Sequence, residues 1–242
     1  MALALLKIPM LFVAAAAIHV SSAAPNPSPS RQERNRFRTV AASSTAFRAS
    51  AAIPALIQFT IWMLTICEST VIIASHYPGV FSRRILTLLT FGARASPSAI
   101  TLTSPFLIGF MLETAGSAIR IGCFWHLGQL FSFQTAIRKE HALITDGPYT
   151  VVRHPAYAGS LLRTAGILLC QLGRGSWLSE SRARYTPQGC ICVLAGVVYM
   201  AALLATVAVH SGLEDRELKE KFGKEWEEWA EKTSSKLFLG LY

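Results

Sequence analysis

The chain has 242 residues, of which 52% are hydrophobic and only 15% charged, a balance that excludes an ordinary soluble domain and points to one integral membrane protein. Its formal net charge of +9 does not mark a nucleic-acid binder, because the basic residues are scattered among apolar segments and form no stripe with interleaved aromatics. Cys67, Cys123, Cys170, Cys190 and Cys192 lie mostly inside those segments, with no Cys-x-x-Cys pair and no His cluster of ligand spacing, so a disulfide framework and a metal site are both unexpected.

The expected fold is all-α: a polytopic membrane helical bundle of about five spans with a C-terminal helical tail. We read it as a single domain over 1–242, with N-terminal spans in 1–118 and a binding and catalytic core in 119–242. The first element runs from Ala2 to about Ala24 and is apolar apart from Lys7 and His19. Ser22-Ala23-Ala24 would suit cleavage of a leader, but Pro25 directly after the cut disfavours it, and a retained helix is the preferred reading. Ile53 to about Ala74 makes a second span, interrupted by Glu68. Ser98 to about Ile119 makes a third, with Pro105 expected to kink it and Glu113 inside it. Ala158 to about Leu172 is short for a crossing and carries Arg163, so a re-entrant arm is the alternative. Cys190 to about Val209 is long enough to cross a core of ~30 Å at ~1.5 Å per residue. Glu113 and Arg163 are ionisable groups at membrane depth and need partners, whether in a pair or by snorkelling.

Charge asymmetry orients these spans. Arg31, Arg34, Arg36, Arg38 and Arg48 follow the first, Arg120, Arg138, Lys139 and Arg153 follow the third, and Arg216, Lys219, Lys221, Lys224, Lys232 and Lys236 follow the last. The alternate loops hold fewer arginines, so the C-terminus and the segment before Ala158 are expected on the cytosolic face.

That segment, Thr145-Asp-Gly-Pro-Tyr-Thr-Val-Val-Arg-His-Pro-Ala-Tyr157, sets two proline turns between apolar elements. Gly147 permits close backbone approach, and Tyr149, Arg153, His154 and Tyr157 offer cationic and hydrogen-bonding groups at short range. With His141-Ala-Leu-Ile144 just upstream, the mix suits an adenosine-type ligand, and it suits an interfacial loop with aromatic-belt tyrosines equally well. Beyond the last span, His210, Glu214 and Glu217 share one helix face, beside a stripe of Leu218, Phe222, Trp226 and Trp229. Gly212 and Gly223 are candidate interruptions, and the stripe alone would also serve an interfacial helix.

These two blocks, in this order, resemble the isoprenylcysteine carboxyl methyltransferase family, particularly its shorter fungal members, and the wider phospholipid methyltransferase superfamily. The resemblance runs from about Leu112 to Tyr242 and includes Arg120, Leu127-Gly128 and Phe131. It implies S-adenosylmethionine as cofactor, held by Gln134, His141, Ala142, Leu143, Ile144, Tyr149, His154, Pro155, Ala156 and Tyr157, with Glu214 and His210 as catalytic and substrate-binding residues and no metal. It also implies prenylated CaaX-type proteins or prenylcysteine peptides as substrates, in the endoplasmic reticulum membrane. One departure stands out: the family's arginine four residues before Glu214 is His210 here, and Arg216 points roughly 120° away on a helix. The rival expectations are a phospholipid N-methyltransferase, which needs a base for its ammonium substrate, a nicotinamide-dependent sterol-type reductase, and a non-catalytic scaffold.

Overall fold

A computed structural model describes residues 2–23, 26, 44–92, 95–128 and 142–240. Among them the regular structure is helical except for an isolated bridge position at Phe238. The elements are α1 (Ala2–Ser22), α2 (Ser44–His76), α3 (Val80–Leu89), α4 (Ser104–Leu127), α5 (Pro155–Leu172), α6 (Pro187–Phe222) and α7 (Lys224–Lys232), with a single helical turn at Trp177–Glu180.

Four segments, Leu3–Ser22, Ile53–His76, Ser104–Leu127 and Pro187–Phe222, are long and apolar enough to cross a membrane. The protein is therefore a polytopic, all-helical membrane protein. The weakest of the five expected spans is helical as α5, but its 18 residues are not among these four, and at ~1.5 Å per residue it falls short of a core of ~30 Å.

Two local expectations are corrected. The third span starts at Ser104, so Pro105 occupies its first turn, where the missing N–H has no helical acceptor to lose, instead of kinking an interior. Gly212 does not interrupt α6, which runs unbroken for 36 residues to Phe222. The break comes at Gly223, whose φ of +54° favours a residue without a Cβ. At roughly 54 Å, α6 outruns the hydrocarbon core, so the polar sequence after Val209 projects beyond it.

Internal contacts divide the chain into two compact units, Met1–His19, Ile57–Ala115 and Leu161–Leu204 in one, and Val20–Leu56, Gly116–Ser160 and Ala205–Tyr242 in the other. Both draw on residues from either side of position 118.

The first unit is organised around a buried ion pair. Lys7 and Glu68, each almost fully shielded from solvent, meet at 2.5 Å. Lys7 Nζ also donates to the Gly175 carbonyl at 2.8 Å and lies 4.3 Å from the centre of the Phe106 ring, while Glu68 Oε2 accepts the Trp177 N–H at 3.1 Å. Two charges are tolerable in an apolar interior only when paired and hydrogen-bonded in this way. Leu11, Val71, Ile72, Ile100, Phe106, Trp177 and Leu178 pack around them. Gly109 and Gly166 let α4 and α5 touch by backbone, since a Cβ on Gly166 would lie 2.5 Å from the Gly109 carbonyl. Glu113 and Arg163, the intramembrane charges singled out above, are both buried and interact electrostatically, and Tyr199 hydrogen-bonds Arg163.

The second unit has Arg120 at its centre. Its Nε donates to the Ser21 carbonyl at 3.0 Å, its Nη1 to the Ala156 carbonyl at 3.3 Å and to the Ser160 hydroxyl, and Ser21 in turn bonds Ser117 at 3.2 Å. Gly159 makes room for this, because a Cβ there would come within 2.7 Å of the Gly116 carbonyl and 3.0 Å of Arg120 Cγ.

Candidate active site

The site is assembled inside the second unit from the segment before α5, the start of α5 and the polar end of α6. Ala142–Thr145 carries no regular structure, and Gly147–Thr150 forms a short 3-10 turn that Pro148 is suited to begin. Gly147 is required twice over: its φ is +56°, and a Cβ would lie 2.1 Å from His126 Nε2. Pro155 opens α5 at the position where its lost N–H is harmless. The residues just before it are tied to the C-terminal strip, with the Arg153 N–H donating to the Ser235 carbonyl at 3.0 Å and the His154 N–H to the Lys236 carbonyl at 2.8 Å. From α7, Trp229 Nε1 donates to the Tyr149 carbonyl at 3.2 Å. Trp229 of the tail's aromatic stripe thus seats on the segment before α5, a contact that the interfacial-helix reading of the stripe did not include.

Side chains converge on two adjacent acids. His154, 5% exposed, sets Nε2 3.0 Å from Asp215 Oδ1 and Nδ1 3.5 Å from Glu214 Oε2. Burial alone would lower the imidazolium's pKa, but hydrogen bonds and charge from Asp215 and Glu214 outweigh it and push it up to about 9. His154 is accordingly a cation at neutral pH, with both nitrogens donating. Asp215 also faces Arg153 at 3.5 Å and Lys236 at 3.8 Å, and the Arg153 guanidinium lies 5.8 Å from the centre of the Trp226 ring.

Glu214 is the less buried acid, with a side chain 38% exposed, and the Tyr157 hydroxyl hydrogen-bonds it. The Tyr157 ring lies 5.8 Å from His154. Burial, then the neighbouring Cys123, Glu214 and Tyr157, raise the Tyr149 phenol, which stays neutral and able to donate. The result is a half-open carboxylate flanked by two neutral phenols and an imidazolium. Such an arrangement orients polar groups around Glu214.

Of the residues proposed from sequence, Tyr149, His154, Tyr157 and Glu214 come together. Pro155 is buried, and the Ala156 carbonyl is taken by Arg120 and Ser160. Ala142 is exposed, while Leu143 and Ile144 are half-buried on the extended approach to the turn. Gln134 and His141 lie outside the described residues. His210 is exposed one turn before Glu214 and interacts electrostatically with Glu217. Asp215, Arg153 and Lys236 complete the ionic cluster. Asp215 went unassigned, because the sequence sets it beside Glu214 without showing which of the two acids turns toward Arg153 and His154.

A model of the isoprenylcysteine carboxyl methyltransferase family matches residues 107–175, which include the segment up to Tyr157 and stop before α6. Similar curated proteins are protein-S-isoprenylcysteine O-methyltransferase B of Arabidopsis thaliana, 24% identical over 131 residues, and the probable protein-S-isoprenylcysteine O-methyltransferases of Oryza sativa subspecies indica and japonica, each 28% identical over 134 residues. Over residues 107–175 the chain is thus similar to the isoprenylcysteine carboxyl methyltransferase family. The Arabidopsis alignment covers 52% of this chain and 56% of the relative, and the rice alignments 54% and 59%, so the chain spans little more than half the length of these family members. No solved structure matches it significantly. The family model covers α4, α5 and the turn between them, so the clamp of His154 by Glu214 and Asp215 is an observation independent of that match.

Proposed function

We propose that this protein is a methyltransferase that esterifies the C-terminal prenylcysteine carboxylate of prenylated CaaX-type proteins, with S-adenosylmethionine as methyl donor, at the cytosolic face of the endoplasmic reticulum membrane. The observation that carries this reading is the engagement of Glu214 by Tyr157 and His154. With two donors on it, Glu214 is less available as a base for stripping an ammonium group, as an amine-methylating enzyme would require. A carboxylate substrate is already ionised at neutral pH and needs no base.

The donor set suits the cofactor. Leu143 and Ile144 supply apolar surface for a flat base, the neutral phenols of Tyr149 and Tyr157 supply donors, and Glu214 supplies negative charge for a cationic centre. When bound, the cofactor provides a methyl group already activated by its sulfonium, so the task left to the protein is alignment and exclusion of water. His154 holds Glu214 in place and fixes the 153–154 backbone against the C-terminal strip. Tyr157 sets the Glu214 rotamer. A prenyl chain would remain in lipid beside the apolar length of α6 while its carboxylate reaches the polar end beyond Val209.

The test is a methyl-transfer assay on purified full-length protein with farnesylcysteine analogues and phosphatidylethanolamine in parallel. Methyl ester formation alone supports the proposal. Methylation of the amine alone would reverse the substrate assignment, and loss of cofactor binding in calorimetry together with no transfer would remove the enzyme reading.

A further inference from the structure

A second feature lies in the first unit and shares no residue with the candidate active site. Leu172, Arg174, Ser179, Glu180, Arg182 and Arg184 line a cavity of about 430 Å³ between the end of α5 and the start of α6. Three arginines face one glutamate there. Glu180 is turned to the backbone, its Oε1 accepting the Gly175 N–H at 2.8 Å, and among the described residues none of the three arginines makes an ion pair within 4 Å.

The arginines are also held close together. Arg182 and Arg184 place their guanidinium carbons 4.3 and 4.9 Å from the centre of the same Tyr185 ring. Arg182 achieves this at φ +65°, alone among the described non-glycine residues in that left-handed region. A bulky side chain held there is strained, and such strain persists only where surrounding structure enforces it. Arg184 donates from Nη1 to the Ser179 hydroxyl at 3.3 Å and from Nη2 to the Tyr185 hydroxyl at 3.0 Å, yet its Nε is buried without a hydrogen-bond partner. Two like charges on one ring, with a buried donor unmet, describe a site organised for an anion.

Its surroundings indicate which anion. Leu172 is the last residue of α5, and Pro187 begins a helix that crosses the membrane, so the cavity lies at helix ends, where headgroups are found. Tyr185, Ile191 and Leu194 are exposed on its α6 side. In the same unit α3 exposes Val80, Phe81 and Leu88 and buries none of its residues, as an interfacial helix does. The planar fork of arginine matches phosphate geometry. We propose that this arginine-lined cavity binds a phosphate group, presented by an anionic phospholipid headgroup or as free phosphate.

The experiment uses the full-length protein in detergent and reads binding without reference to methyl transfer. Native mass spectrometry would compare retention of dioleoylphosphatidylglycerol and dioleoylphosphatidylcholine, while thermal unfolding would be followed with and without millimolar inorganic phosphate. The expected result is selective retention of the anionic lipid, lowered about tenfold or more in R182Q/R184Q, lowered less in R184K, and raised in E180Q. Selective lipid retention without a response to inorganic phosphate identifies the headgroup as the source, and a response to inorganic phosphate alone identifies a soluble one. Equal retention of the two lipids with no phosphate response, or binding unchanged in a monodisperse R182Q/R184Q protein, would overturn the site. R184K keeps the charge and loses the fork, so it remains informative if the double variant does not fold.

Discussion

His154 Nε2 meets Asp215 Oδ1 at 3.0 Å, and that bond joins the segment before α5 to the polar end of α6. The clamp is doubled by the backbone, because His154 also donates its N–H to the Lys236 carbonyl at 2.8 Å. One residue therefore holds three pieces of chain that are remote in sequence. The protonation state of its ring governs how firmly the polar end of α6 is held.

The sign of the pH dependence follows from the raised pKa. With an ordinary value of 6.5 and a folded value of about 9, His154 contributes stability that is complete below about 6.5 and disappears as pH rises through about 9. The shift is worth on the order of 3 kcal/mol. Thermal stability of the purified protein is expected to fall between pH 7 and pH 10, and less so in Asp215→Asn. A histidine-ring NMR titration should show His154 moving down toward the ordinary range in that variant. An unmoved titration would show that Asp215 does not hold the proton.

Glu214 and Tyr157 separate positioning from folding. Glu214→Gln retains shape and removes the negative charge offered to the cofactor's cationic centre, so cofactor affinity is expected to fall about tenfold or more and methyl transfer with it. Tyr157→Phe loses one hydrogen bond to a charged group, roughly 1.5–3 kcal/mol, and is expected to lower transfer by about tenfold or more with a small change in unfolding temperature. His154→Ala removes the clamp and is expected to weaken cofactor binding as well as to lower the unfolding temperature. The check is calorimetry of cofactor binding beside an unfolding curve, and unchanged affinity in His154→Ala would separate this cluster from the cofactor.

Much of this arrangement could be read from residue order, because proline turns, apolar runs and charge asymmetry are local properties. The segment from Gly147 to Tyr157 announced itself through Gly147, Pro148 and Pro155, whose backbone constraints hold in any context. Glu214 was legible by spacing beyond a span. Asp215 was not, since which of two adjacent acids faces inward depends on how α6 is rotated about its axis, and an uninterrupted helix through Gly212 sets that rotation. Lys7 was visible only as a flaw in an apolar run. Its partner lies 61 residues further along at Glu68, and no local pattern connects them. Pro105 was read as a kink because the start of its helix was placed too early, and a proline has opposite consequences at a first turn and in an interior.

Position 210 tests the one departure from the family's pattern. His210 is exposed on α6 one turn before Glu214, so an arginine has room there. His210→Arg is expected to preserve or raise carboxylate methylation without a change in unfolding temperature. Rates with a farnesylcysteine analogue provide the measurement. An inactive but folded variant would show that the position does not serve the substrate carboxylate.

The ion pair between Lys7 and Glu68 yields a prediction about α1 that does not depend on the reaction. Lys7→Met leaves Glu68 buried with only the Trp177 N–H as a donor, and removing one partner of a buried pair costs about 3–5 kcal/mol. Much of that cost is the penalty of the stranded charge, so it should be largely recovered when the charge is removed as well. Lys7→Met with Glu68→Leu is expected to unfold close to the parent temperature, whereas either single change lowers it by several degrees or more. The comparison is an unfolding series in detergent on four proteins of equal length. Parent-like stability in both single variants would mean that the pair does not hold α1 to α2, and a double variant worse than either single would mean that apolar side chains cannot fill the space the pair occupies.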